Sequence, residues 1–143
     1  MKKKLLLFGF VFVTALLVSG CGVSKKVVCT QKASGVDIVF NVGFLGKDIK
    51  SMDFSYDMDL SNYTDTQITY IEKQDFCTLA KTAMSEYKNA FEDCKQSVKD
   101  KHLKVSAALD VNEIKKDKGK YKLTSPEEAK KQIEKSGYSC TIK

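Results

Sequence analysis

The chain opens on a run that is apolar almost without a break, Leu5 to Val18, behind three lysines, Lys2, Lys3 and Lys4. After it the pattern changes to alternation. Val27-Val28-Cys29-Thr30-Gln31 is short and β-branched, Ser34-Gly35 turns the chain, and Val36, Ile38, Phe40, Val42 and Phe44 recur at every second position, the period of a half-buried strand. Leu45-Gly46-Lys47-Asp48 supplies a hairpin turn. Met52, Phe54, Tyr56, Met58 and Leu60 then alternate with Asp53, Ser55, Asp57 and Asp59, which predicts a strand with one core face and one wet face.

From between Asp65 and Asp75 to about Phe91 the period becomes helical. Phe76, Leu79, Ala80, Ala83, Met84, Tyr87 and Phe91 fall on one stripe, which predicts a single long core helix. Cys94, Gln96 and Val98 alternate again, Asp100-Lys101 can turn the chain, and Leu103, Val105, Ala107 and Leu109 follow, a second hairpin whose alternative is an extension of the helix to Val98. The charged stretch Glu113 to Lys122, with Gly119 inside it, reads as a surface loop. Ser125 as N-cap, Pro126 at the first helical position, Glu128 closing a capping box, Ala129 and Ile133 inward and Gly137 past the end define a second helix. A short strand, Tyr138 to Ile142, ends the chain. The predicted fold is α+β: an antiparallel sheet of about five to six strands packed against one long core helix and a shorter C-terminal helix.

The opening run, at roughly 14 residues, is shorter than the ~20 that cross a bilayer, and with its lysines it has the form of a secretory signal. Val18-Ser19-Gly20-Cys21 resembles the bacterial lipobox, which implies a diacylglycerol thioether on Cys21 Sγ, cleavage before Cys21 and at least two acyl chains, enough to anchor stably. The expected organisation is a signal peptide at 1–20, a lipidated N-terminus and tether at 21–26, and one domain at 27–143, on the extracytoplasmic face of the cell membrane. Gly22 to Lys26 spans at most about 18 Å, so the domain hugs the bilayer, where Lys25 and Lys26 can meet an anionic surface.

Charge narrows the partners. All 24 basic residues are lysine, against 18 acidic ones, and removing the three signal lysines leaves 21 − 18 = +3. Those lysines are interleaved with Asp and Glu, without the clustered or arginine-based contacts that nucleic-acid binding uses, so no nucleic-acid partner is expected. Cys29, Cys77, Cys94 and Cys140 are an even set in an exported chain, which predicts two disulfides. Their separations of 48, 17 and 46 residues do not suit a zinc site, and no metal or cofactor is expected. An unbroken helix from Cys77 to Phe91 rises about 21 Å, far beyond the reach of a disulfide, which disfavours Cys77–Cys94 and with it Cys29–Cys140. Cys29 with Cys77 and Cys94 with Cys140 is then preferred over Cys29 with Cys94 and Cys77 with Cys140.

Catalytic signals are sparse. Asp57-x-Asp59-x-Ser61 begins like a calcium loop, but Asn62 stands where that loop needs Gly and Ile68 where it needs a bidentate Glu. His102 is the only histidine, flanked by Lys101 and Lys104 at a predicted hairpin, a solvated setting. Asp53, Asp57 and Glu128 are the remaining acid–base candidates, with no spacing that favours them.

GVDIVFNVGFLGKDIKSMDFSYDMDL, SEYKNAF, KVSAALDV and SPEEAKKQIEKSGYSC, in that order over roughly residues 35–142, resemble the YehR-like family of small bacterial lipoproteins. The resemblance implies an α+β lipoprotein domain and carries over no catalytic or binding residue. Together these features predict a membrane-anchored, non-catalytic binding or sensing module that takes an envelope protein, a polymer or a small ligand. The alternatives are a ligand-presenting accessory protein of a transporter and a carboxylate- or lysine-dependent enzyme.

Overall fold

A computed structural model describes residues 22–83, 85–116 and 123–143; Cys21, Met84 and most of the charged stretch after Lys116 lie outside them. Six strands form one sheet, every neighbouring pair antiparallel, in the order β4-β5-β3-β2-β1-β6. β1 (Lys25–Ala33), β2 (Val36–Leu45) and β3 (Asp48–Asp59) make two consecutive hairpins, and β4 (Phe91–Lys99) and β5 (His102–Leu109) a third. These are the strands that the alternation predicts. Ser34-Gly35 and Asp100-Lys101 are two-residue links with positive φ at both positions, the conformation that matches the right-handed twist of the strands they join.

Register puts Val27, Cys29, Phe40, Val42, Met52, Phe54, Val105 and Ala107 on one face. All helices pack there. α4 (Pro126–Glu134) brings Ala129 and Ile133, and α3 (Val111–Lys116) brings Ile114, into the larger core with Val27, Val42 and Phe44. A smaller core, Leu60, Leu103 and Val105, lies beneath α1 (Asp65–Glu72) and the start of α2 (Phe76–Ala83). The opposite face carries Thr30, Asn41, Asp53, Ser55, Asp57, Lys104 and Ser106, and among the described residues no helix lies over it.

The single long core helix is corrected. The segment is α1, α2 and a 3₁₀ segment, Ser85–Ala90, and Phe91 is a buried strand residue that packs edge-on against Phe54. Two side chains make the break between α1 and α2. Asp75 caps α2, its Oδ1 accepting from Thr78 N at 2.9 Å and its Oδ2 from Thr78 Oγ1 at 2.7 Å. Gln96, reaching in from β4, accepts from Phe76 N at 2.8 Å and donates to Gln74 O at 2.7 Å. Donors at the first turn of a helix and carbonyls at the last have no intrahelical partner, and here they are satisfied at the junction itself. The predicted stripe lies beyond that junction and keeps an α-helical period only to Ala83, before the 3₁₀ segment and β4; it is not one packed face, since Leu79 is exposed.

The expected disulfide pairing is also corrected. Cys29 bonds Cys140 and Cys77 bonds Cys94. The straight helix that put Cys77 out of reach of Cys94 does not exist, and β6 (Ser139–Ile142) lies beside β1 with Cys140 directly opposite Cys29. Two smaller differences follow from caps. Asp110 Oδ1 accepts from Asn112 N at 2.8 Å at the start of α3, which runs to Lys116, into the stretch Glu113 to Lys122 read as loop. Ser125 Oγ caps α4 through Glu128 N at 3.1 Å as predicted, while the Glu128 carboxylate accepts from Gln132.

The chain joins the sheet before Val27. Ser24 N donates to Phe44 O at 2.7 Å, and Ser24 Oγ accepts from Gly46 N at 3.3 Å, so Ser24 already belongs to the sheet. Val23 lies over Gly43, where a Cβ would meet both Val23 and Ser51.

Candidate functional site

Three regions hold the chemistry that the sequence offers, and they do not converge. The first is the open face of β3 and β5. Asp57 stands opposite Lys104 and Asp59 opposite His102. His102 leans diagonally, its Nδ1 2.7 Å from Asp57 Oδ1, and Lys104 Nζ approaches Asp57 Oδ2 at 3.6 Å. Asp57 and His102 are half-buried and Lys104 is exposed, and such solvent-accessible pairs are worth about 0–1 kcal/mol. A carboxylate that orients an imidazole is part of a nucleophilic triad, but among the described residues no hydroxyl or thiol hydrogen-bonds to the ring. Asp59 is held below the usual carboxylate range by Ser61, whose hydroxyl and backbone N–H both bond it.

The other acid–base candidates are scattered. Asp53 accepts from Asn41 Nδ2 at 2.7 Å and sits four strand residues from Asp57, about 13 Å along the sheet. Glu128 is on α4, across the sheet from both. Among the described residues no three His, Cys, Asp or Glu side chains stand close enough to hold a metal ion.

The second region is the arm made of α1 and α2. Neither helix has a buried residue. Thr64 and Gln67 form a capping box at the start of α1, with Gln67 Oε1 accepting from Thr64 N at 2.9 Å. Gln96 and the Cys77–Cys94 bond tie α2 to the edge strand. Between the end of α1 and β4 lies a shallow depression of about 240 Å3 lined by Glu72, Gln96, Ser97 and Val98, smaller than the roughly 300–1,000 Å3 of small-molecule sites. Tyr56, on the sheet beneath, has its hydroxyl pushed above the usual tyrosine range by burial and then by Tyr63.

The third region is the end of the sheet where the chain enters. Val23 is 36% exposed and Leu45, in the β2–β3 hairpin, 45%. The other large apolar side chains left exposed among the described residues are Tyr63 at 38%, Tyr70 at 68% and Leu79 at 54%, all in or next to the arm. Exposed apolar surface is thus concentrated in two places. Of the residues singled out from sequence, Cys29 and Cys140 are buried in the core, Cys77 is in the arm and Cys94 on the edge strand β4, and Cys21 lies outside the described residues. Gln96 and the Asp57–His102 contact were missed, because both depend on which strand lies beside which. Asp75 followed by Thr78 was the local signal for the helix break.

No family model, curated protein or solved structure matches the chain.

Proposed function

We propose that the protein is a lipid-anchored module on the extracytoplasmic face of the cell membrane that binds a protein partner through the α1–α2 arm and performs no chemistry of its own. The observation that carries this reading is the segregation of exposed apolar side chains into an entry end and an arm. Scattered single apolar residues are ordinary on a surface, whereas concentrations of them mark contact sites. The lipobox resemblance at Val18-Ser19-Gly20-Cys21 supports the anchor, and the resemblance to YehR-like lipoproteins agrees with it. An anchored domain meets membrane-proximal partners at high effective concentration, so a modest apolar contact suffices for binding. The scatter of Asp53, Asp57 and Glu128 weighs against the enzyme.

The test uses two variants of the anchored protein in cells where its loss has a phenotype. Tyr70→Ser with Leu79→Ser removes exposed apolar surface without touching the core and is expected to reproduce the loss. His102→Ala is expected to leave the phenotype unchanged. The reverse outcome, in folded and correctly localised protein, makes catalysis the reading to pursue.

A further inference from the structure

The end of the sheet at which the chain enters combines three features. Leu45 is the most exposed aliphatic side chain there and stands just before the Gly46-Lys47 turn; Gly22 (φ +111°) brings the incoming chain alongside it, so that a Cβ at Gly22 would lie 3.6 Å from Leu45 Cδ2. Lys25, Lys26, Lys47 and Lys50 surround this pair on β1 and the β2–β3 hairpin. Lys25 reaches Glu127 at 3.6 Å and Lys50 reaches Asp48 at 3.7 Å, while among the described residues no carboxylate pairs with Lys26 or Lys47. The third feature is covalent. The chain beyond Gly22 leads directly to Cys21 and the apolar run Leu5 to Val18.

We propose that this end is a bilayer-docking surface, with Leu45 and Val23 at the boundary between headgroups and acyl chains and the four lysines against anionic phospholipid. The inference rests on the anchored reading above and adds an orientation to it. Ser24 is hydrogen-bonded to Phe44 and Gly46, so only about 10 Å of chain separates Cys21 from the sheet. A tether that short cannot let the domain tumble. Apolar side chains ringed by lysine are the composition of an interfacial contact, and basic residues within a Debye length are drawn to an anionic leaflet. β1, β2 and β3 then stand upright on the membrane. The Ser34-Gly35 and Asp100-Lys101 turns, which meet β3 through Asp59 N to Gly35 O and Leu60 N to Lys101 O, point outward, roughly 30 Å away at the far end of nine-residue β1.

The chain contains no tryptophan, so one introduced indole reports its own depth. Leu45→Trp and, in a separate protein, Tyr70→Trp are produced as the full chain, extracted from membranes and reconstituted into phosphatidylcholine vesicles with brominated acyl chains, with and without phosphatidylglycerol. The Leu45→Trp indole is expected to be quenched about two-fold or more, as befits a side chain at the acyl boundary, and more strongly with phosphatidylglycerol; the Tyr70→Trp indole keeps its intensity. Val23→Trp is the second reporter should Leu45→Trp fold poorly. Vesicle-bound protein in which neither indole at the entry end is quenched, or in which Tyr70→Trp is quenched equally, overturns the docking and leaves the anchor standing. Protein that carries no acyl chain and stays in solution overturns both.

Discussion

The two halves of the sheet are held in different ways. In the half made of β6, β1 and β2 with α4 across them, Val27, Cys29, Val42, Phe44 and Ala129 are wholly buried, and the Cys29–Cys140 bond joins residues 111 apart inside that core. In the half made of β5 and β4 with α1 and α2, neither helix has a buried residue: Ile68, Ile71 and Phe76 are half-buried against the small Leu60–Leu103–Val105 core, and polar side chains and a bond between residues 17 apart fix the rest. The incoming chain enters the first half. Under the anchored reading proposed above, the buried half would pass the constraint of an anchor into the domain, and the arm would be a local unit that can loosen or meet a partner without disturbing it.

The largest expected effect separates the two disulfides. In the chain-entropy model a loop of 111 residues is worth about 5 kcal/mol and one of 17 about 3 kcal/mol. Cys29→Ala with Cys140→Ala should therefore lower the thermal midpoint of the whole domain by something on the order of 15 °C. Cys77→Ala with Cys94→Ala should lower it less, and should raise amide exchange selectively in α1 and α2. Cys77–Cys94, the more exposed pair, should also be reduced first by added thiol. Calorimetry together with hydrogen exchange checks the contrast, and it breaks if both pairs of substitutions loosen the same amides.

A smaller effect is expected at Gln96. Gln96→Leu removes the bonds to Gln74, Phe76 and Cys77 and should cost about 1–2 kcal/mol, read as faster exchange in the arm with no change at the amides of β1. The smallest depends on pH. Backbone and hydroxyl bonds from Thr78 hold the Asp75 carboxyl below its usual range, so the contribution of this cap is present above the unfolded value near 3.9 and is lost as pH falls through the lower folded value. Acidification from about pH 5 to about pH 2 should thus fray the start of α2, and Asp75→Asn, which keeps an acceptor and does not titrate, should remove that dependence.

The contrast between the halves also marks how much was legible beforehand. β2, β3 and β5 are antiparallel strands with one buried face, and their side chains alternate accordingly. Positions 25–60 and 102–109 could be read from that pattern alone. The pairing of β1 with β6 could not, since no local pattern links Cys29 to Cys140 across the length of the domain. The arm was misread because Phe76, Ala80 and Ala83 do keep helical spacing, but only within α2, while the break before them depends on Gln96, 20 residues from Phe76 in sequence, and the chain beyond Ala83 leaves the α-helix for a 3₁₀ segment. Phe91 completed the false stripe while belonging to a strand. The Asp57–His102 contact stayed hidden for the same reason, as it needs β5 beside β3.

The anchor is the claim on which the division of labour between the halves depends, and the intact mass of the protein extracted from membranes tests it most directly. The account predicts a mature chain that begins at Cys21 and carries acyl mass, partitions into detergent, and accumulates as unprocessed precursor when Cys21→Ser is introduced. A Cys21→Ser protein that is processed and held at the membrane as before, or a wild-type chain without acyl mass, would contradict it.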